Sequence, residues 1–212
     1  MVNFIFKRGH SLKLESRKEL KAIFDINDGI KLKKFLTENC KQLFEERIIN
    51  SIYLDTHKLD VYRQAVSNDF ENCKYRFRFY RNEINQARFE KKLNSYGKKY
   101  KIFDENIQYK NSFAPYNIES LYLFPITLVK YKRNYFSYKN IRLTVDEEIR
   151  FSKPDIKDLN NFEYFENKIV VEQKILNKND DSIEKNLIFQ AEKYSKFLRS
   201  IEKIYPNKIR VT

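Results

Sequence analysis

Between Lys74 and Tyr80 the chain reads Lys-Tyr-Arg-Phe-Arg-Phe-Tyr, with cations and aromatic residues in strict alternation. Successive side chains of an extended strand point to opposite faces. Lys74, Arg76 and Arg78 therefore share one face, and Tyr75, Phe77 and Phe79 share the other. One face suits a core and the other suits anions. For a single such stretch the ordinary reading is a surface strand with solvated cations; recurrence of the pattern argues against it.

The pattern recurs, with acids placed among the bases. Every second residue gives Arg17, Glu19 and Lys21; Arg88, Glu90 and Lys92; Arg142, Thr144 and Asp146; and Glu172 and Lys174. The intervening positions include Leu20, Phe89, Leu143, Val145, Val171 and Ile175. A closed barrel can carry such an ionic face on its inside when helices cover its apolar outside. An interior lined by arginine and lysine repels itself when empty, since each desolvated, unpaired charge costs on the order of several kcal/mol. Such a lumen calls for acids, water and a polyanion.

The whole composition agrees with an anionic partner. Among 212 residues, 42 Lys and Arg stand against 29 Asp and Glu, a formal charge of +13. That balance suits phosphates, nucleic acid or an acidic membrane surface. Nucleic acid ranks low because the bases alternate with acids on strands instead of forming one exposed stripe. Three glycines in the chain argue against a glycine-rich phosphate loop or a dinucleotide fold. Cys40 and Cys73 have no metal-ligand spacing and read as reduced, intracellular thiols. No secretory leader or membrane span is evident, so a cytoplasmic protein without an integral membrane segment is expected. The length suits a single domain over residues 1–212.

The elements that must position these side chains follow from periodicity. A first strand is expected over 12–25, then a helix over 29–45 capped by Asp28, with Ile30, Phe35, Leu36, Cys40, Leu43 and Phe44 on its apolar face. Strands follow at 48–55, 73–80 and 86–95, with a short helical crossover before the second and a hairpin at 81–85 before the third. After Gly97, Lys98, Lys99 and Lys101 read either as a solvated basic loop or as an entrance for substrate. Residues 104–124 read as a packed helical or irregular insertion ended by Pro125, before strands at 126–138, 140–151 and 167–176. Alternation puts Lys130 and Lys132 on one face, and Tyr131 and Arg133 on the other. A terminal helix is expected over 182–204, started by Asp181 and Glu184 and presenting Lys196 beside its apolar face.

Taken in order, the motifs carry a family resemblance. Arg-Lys-Glu-Leu-Lys at 17–21, Ser-Ile-Tyr-Leu-Asp-Thr at 51–56, Arg-Phe-Arg-Phe-Tyr at 76–80, Phe-Glu-Lys-Lys at 89–92, Tyr-Lys-Arg at 131–133, Arg-Leu-Thr-Val-Asp at 142–146, Val-Glu-Gln-Lys at 171–174 and Ser-Lys-Phe at 195–197 span nearly the whole chain. This succession resembles the VTC (vacuolar transporter chaperone) domain, one of the triphosphate tunnel metalloenzymes related to the CYTH domains of adenylyl cyclases and thiamine triphosphatases.

The resemblance implies an α+β fold: an eight-stranded antiparallel β tunnel, a closed barrel with a basic lumen, packed by helices that include a C-terminal one. It implies a polyphosphate polymerase that transfers the ATP γ-phosphate to a growing inorganic polyphosphate chain with Mn²⁺ or Mg²⁺. The alternatives are a triphosphatase, acting on inorganic or nucleoside triphosphate, and a non-catalytic polyphosphate-binding module. By the same resemblance Arg76, Arg78, Lys92, Arg133, Arg142 and Lys174 carry the transfer. Arg17, Lys21 and Lys196 bind phosphate, and Lys74 joins them from its place on the cationic face. A further basic residue falls on Lys98, Lys99 or Lys101, with Lys101 entered among the phosphate ligands. Glu172 resembles the metal-binding glutamate, while Glu19, Glu90 and Asp146 orient the cations or reach the metal through water.

Overall fold

The computed structural model describes residues 10–15, 19–67, 71–96, 98–139, 141–154, 162–175 and 188–209. Its strands are His10–Glu15 (β1), Glu19–Asp25 (β2), Lys41–Asp55 (β3), Glu71–Tyr80 (β4), Arg88–Ser95 (β5), Lys98–Asp104 (β6), Tyr116–Ile118 (β7), Leu121–Tyr138 (β8), Ile141–Ser152 (β9), Tyr164–Phe165 (β10) and Lys168–Ile175 (β11). Its helices are Gly29–Asn39 (α1), Asp60–Ser67 (α2), Lys196–Ile204 (α3) and Pro206–Ile209 (α4). The fold is thus mostly antiparallel sheet with few helices, in the order β1-β6-β5-β4-β3-β8-β9-β11-β2, with β7 paired to β8 and β10 to β9.

The family resemblance implies eight strands in a closed barrel; among the described residues the sheet has eleven, and nine follow one another along its main path. Among the described residues no hydrogen-bonded pairing joins the end strands β1 and β2. The free edge of β2 is occupied in another way. The Lys21 carbonyl accepts from the Glu192 N–H at 2.6 Å, and the Glu19 carbonyl from the Lys99 amine at 3.2 Å. Lys99 belongs to β6, next to the opposite end of the path, so the sheet curls until its two ends approach each other.

Alternation fixes what lies on each side. The outward residues Ala22, Leu143, Val145 and Val171 form one apolar cluster with Leu32 and Leu36 of α1. Leu36 and Leu32 lie one turn apart, which is why α1 can lay a single stripe on this part of the sheet. The outward residues of β4, Tyr75, Phe77 and Phe79, join a second cluster with Ile52, Phe89, Tyr116 and Leu123. The same cluster includes Phe197 and Ile201 of α3, with the Phe197 ring tilted against Tyr53 at 5.1 Å between ring centroids. At the end of β3 the buried Asp55 carboxylate accepts from the N–H groups of Thr56, Val61 and Tyr62 at 2.7–2.9 Å, which holds the start of α2. Burial pushes Asp55 up to about 6, against those hydrogen bonds.

Several expected boundaries move. The expected first strand is two strands, β1 and β2. Helix α1 stops at Asn39, and Cys40 is extended at φ −120°, ψ 146°; Leu43 and Phe44, counted on the helix from spacing, belong to β3, with Phe44 opposite Tyr135 of β8. The basic stretch after Gly97 is a strand, β6, held between β5 and β1. No helix forms over 104–124; β7 pairs there with the start of β8. Pro125 lies inside β8, opposite Leu54, where the β3–β8 register shifts and the missing N–H of proline is tolerated. The terminal helix begins at Lys196. Residues 188–195 are non-helical because other groups take their backbone: Gln173 Oε1 accepts from the N–H groups of Ile188 and Phe189 at 3.1 and 3.3 Å, and Gln173 Nε2 donates to the Phe189 carbonyl at 2.9 Å. Asp181 and Glu184 lie outside the described residues. Asp28 occupies the cap position of α1 without a side-chain cap hydrogen bond. Both cysteines are free thiols.

Candidate functional site

The inward rows of seven strands converge on the concave side of the sheet. On β4 and β5, Arg76 sits opposite Glu90 and Lys74 opposite Lys92; on β6, Lys101 sits opposite Lys92. On β9 and β11, Lys174 sits opposite Arg142, Glu172 opposite Thr144, and Val170 opposite Asp146. On β2, Glu19 faces Lys174 and Lys21 faces Glu172. On β8, Arg133 lies opposite Asp146. Arg17 lies outside the described residues.

Two ionic groups form on this surface. In the first, Glu90 is 3% exposed and accepts from Arg76 Nε at 2.7 Å, with Arg76 Nη2 also bonded to it. Lys101 Nζ approaches the other Glu90 oxygen to 2.7 Å, and Arg78 lies at 4.0 Å. Arg76 also donates to the Tyr53 hydroxyl at 3.2 Å, and Arg78 to the Tyr131 hydroxyl at 3.1 Å. Burial alone would raise the Glu90 carboxyl; the cations of Arg76, Arg78 and Lys101 outweigh it and hold Glu90 below the usual carboxylate range.

In the second group, Asp146 is fully buried and accepts from Arg133 at 2.5 and 2.6 Å and from Lys196 at 2.5 Å. Glu172 lies 3.3 Å from Lys174 and 3.5 Å from Arg133, while Lys174 is also paired with Glu19. Burial would raise Glu172, but Lys174 and Arg133 drive it well below its ordinary value. Asp146 is lowered in the same way, Arg133 and Lys196 overcoming its burial. The segment before α3 closes over this group: the Lys21 amine donates to the Tyr194 carbonyl at 2.5 Å, and Lys74 to Ser195 Oγ at 2.9 Å. Ser195 is the N-cap of α3, accepting from the Leu198 N–H at 3.4 Å, so Lys196 projects from the first turn.

Lys92 links the two groups. Its amine is lowered well below the ordinary lysine value by burial and then by Arg76, although Glu172 and Glu19 across the concavity pull it upward. Lys21 is lowered by burial with Lys196 adding to it, Lys99 by burial and by Lys21, and Lys101 falls to about 8 through burial and the Arg76 and Arg78 charges. Among the described residues, several buried polar atoms on this surface have no hydrogen-bond partner, including Arg78 Nε, Arg142 Nε, Ser51 Oγ, Thr144 Oγ1 and the Tyr194 hydroxyl. Buried donors normally find partners. Glu19 Oε1 and Asn50 Oδ1 are buried without a hydrogen-bond partner in the same way.

The residues missed from sequence are the polar partners. Tyr53 and Tyr131 hold Arg76 and Arg78, and both share the inward alternation with residues that are named; their parity is the signal that would have found them. Ser195 and the Tyr194 carbonyl belong to a stretch expected to be helical, so nothing in spacing could place them. Of the residues after Gly97, Lys101 pairs with Glu90, and Lys99 reaches the Glu19 carbonyl. Lys132 pairs outward with Glu148 at 2.5 Å, on the face opposite Arg133.

The donors also bear on a divalent cation. Among the described residues no three His, Cys, Asp or Glu side chains group as a metal cage. Glu172 and Glu19 are neighbouring carboxylates on paired strands, a hard-oxygen set of the kind that holds Mg²⁺ or Mn²⁺ together with substrate phosphates and water. The residues present fit a cation that arrives with phosphate.

Comparison with known proteins places the chain. No curated protein matches its sequence. Solved structures similar to it include a candidate adenylate cyclase from Vibrio parahaemolyticus, at 12% identity and TM-score 0.47, covering 82% of this chain and 83% of that one. A protein from Pyrococcus horikoshii is similar at 14% identity and TM-score 0.48, covering 88% of this chain and 96% of that one. The sequence itself matches the VTC domain in two overlapping segments, residues 16–117 and 105–205. With all of the candidate cations and carboxylates lying inside that match, this chain belongs to the VTC domain family.

Proposed function

We propose that the chain is a single triphosphate-tunnel domain whose concave cationic surface polymerises phosphate, moving the ATP γ-phosphate onto an inorganic polyphosphate chain. The observation that carries this reading is the set of buried donors without a partner among the described residues, Arg78 Nε, Arg142 Nε and Thr144 Oγ1, set beside lysines whose protons are destabilised by burial and by the charges of Arg76 and Arg78. Phosphate oxygens are the acceptors that such donors lack, and a run of phosphates matches their spread over several strands.

Phosphoryl transfer asks a protein mainly for positioning and charge neutralisation. A terminal oxygen of the acceptor chain attacks the γ-phosphorus, the bond from the γ-phosphorus to the β–γ bridging oxygen breaks, and ADP leaves with that oxygen. Arg76 and Arg78, fixed by Glu90 and two tyrosine hydroxyls, hold the reacting phosphates from one side. Arg133, Arg142, Lys174 and Lys196 hold them from the other, with Lys92 between the groups. Lys21, Lys74, Lys101 and Arg17 extend the cationic path. Glu172, with Glu19 beside it, would hold Mn²⁺ or Mg²⁺, which when bound supplies further charge neutralisation on the phosphate oxygens. Glu90 and Asp146 orient arginines. A cytoplasmic location belongs to the same reading; among the described residues no helix is long and apolar enough to cross a membrane.

The decisive experiment is incubation of the purified protein with ATP and Mn²⁺, followed by separation of the products. ADP with long polyphosphate is expected. ADP with orthophosphate alone would replace the polymerase with a triphosphatase, and binding without turnover would replace it with a polyphosphate-binding module.

A further inference from the structure

At the end of the concavity away from α3, the inward row of β3 and β8 changes from cationic to aromatic. Phe44 lies opposite Tyr135 and Arg47 opposite Arg133, with a bulge in β3 between Phe44 and Arg47. The two rings meet edge to face at 5.6 Å. The Arg47 guanidinium lies over both, 5.7 Å from the Phe44 centroid and 5.5 Å from that of Tyr135. Tyr80, the next inward residue of β4 after Arg78, comes close enough to influence the Tyr135 hydroxyl, whose raised pKa comes chiefly from burial. Phe44 and Tyr80 are 52% and 40% exposed. Large aromatic surface left half bare beside a buried ionic site costs free energy unless something covers it.

Phe44, Arg47, Tyr80 and Glu83 line a hollow of about 430 Å³, within the roughly 300–1,000 Å³ range of small-molecule pockets. Three glutamates, Glu45, Glu46 and Glu83, border it against two arginines, Arg47 and Arg81. That balance disfavours another run of phosphates and leaves a flat, uncharged heterocycle welcome. Aromatic rings and a guanidinium plane are surfaces on which nucleobases stack. Arg133, the nearest inward cation on β8, is two residues from Tyr135, about 7 Å along a strand, a span that a ribose can bridge between a base and its phosphates.

From this juxtaposition we infer that the hollow lined by Phe44, Arg47 and Tyr80 is a base-binding subsite, which seats the nucleobase of a nucleoside triphosphate while its phosphates lie among Arg78, Arg133 and their neighbours. The inference rests on the triphosphate reading above and adds orientation to it. The nucleoside lies toward this end, and the growing phosphate chain extends toward Lys21, Lys74 and Lys99.

Calorimetric titration of the full chain with inorganic tripolyphosphate and, separately, with ATP tests it. Phe44→Ala should weaken ATP binding about tenfold or more, the scale of one lost base–aromatic stack, and leave tripolyphosphate binding at the wild-type value. Phe44→Tyr should restore ATP binding. Unaltered ATP affinity in a folded Phe44→Ala protein, or equal losses for both ligands, would overturn the subsite while the triphosphate reading stands. Failure of the wild-type protein to bind tripolyphosphate would overturn that reading and this subsite with it.

Discussion

At the scale of single residues, the arginines are not equivalent. Arg76 is 5% exposed and tied to Glu90 and Tyr53, whereas Arg142 Nε has no hydrogen-bond partner among the described residues. Arg142→Ala should therefore cost binding alone, weakening tripolyphosphate affinity by roughly the 1.5–3 kcal/mol of a charged hydrogen bond with little change in Tm. Arg76→Ala should lose binding and also stability, because it strips Glu90 of its closest partner; breaking a buried pair costs about 3–5 kcal/mol, of which Lys101 and Arg78 would recover a part. Titration with tripolyphosphate and calorimetric melting of both variants check this, and an equal loss of Tm in the two would contradict it. Glu172 separates in a similar way. If it holds the cation, Glu172→Gln should raise the Mn²⁺ concentration needed for turnover while phosphate binding persists; a lowered Tm with the metal dependence unchanged would make it a structural partner of Lys174 and Arg133. Alternation was enough to put Arg76, Arg78, Glu90, Glu172 and Lys174 on one face. It could not tell that Glu90 and Asp146 are saturated by cations, because that depends on which strands become neighbours across the sheet.

At the scale of elements, strand interiors were legible and connections were not. The rows on β4, β5, β9 and β11 repeat over enough residues for their period to dominate. Lys98–Asp104 failed as a strand in the reading because three lysines obscure a pattern whose apolar member, Ile102, faces outward and is buried. The C-terminal segment differs for the opposite reason: its apolar spacing over 187–201 imitates a helix, yet residues 188–195 are held as a non-helical strip by Gln173 and the edge of β2. That strip carries the Tyr194 carbonyl and Ser195 to the amines of Lys21 and Lys74, so Gln173, on the outward face and fully buried, indirectly positions the cationic site. Gln173→Ala removes three hydrogen bonds and leaves the N–H groups of Ile188 and Phe189 to find others. It should destabilise the protein by about 1–3 kcal/mol and expose residues 188–195 to faster amide exchange. Unchanged exchange there would show that the strip is held by its apolar contacts instead.

At the scale of the whole molecule, part of the basic excess behind the +13 charge is buried on the concave surface, and binding of a polyanion there should be a protonation event. Lys21, Lys92, Lys99 and Lys101 are all lowered, in each case first by burial, and Lys101 reaches about 8. An unfolded lysine titrates near about 10.4. Between about pH 8 and 10 the unfolded chain therefore binds more protons at Lys101 than the folded one, so for this residue stability rises with pH across that window. Polyphosphate acts in the other direction, since its negative charge favours the protonated amines. Binding at pH 8–9 should take up protons, and affinity should fall as pH rises through 8 even though the empty protein does not unfold. Titrating tripolyphosphate into the protein at pH 8.5, in two buffers of different ionisation enthalpy, measures that uptake from the difference in observed heats. Lys101→Arg, which stays charged throughout, should reduce the uptake and flatten the pH dependence. Identical heats in the two buffers would mean that these lysines already hold their protons in the empty site, with the carboxylates of Glu90, Glu172 and Glu19 enough to neutralise the cavity without a ligand.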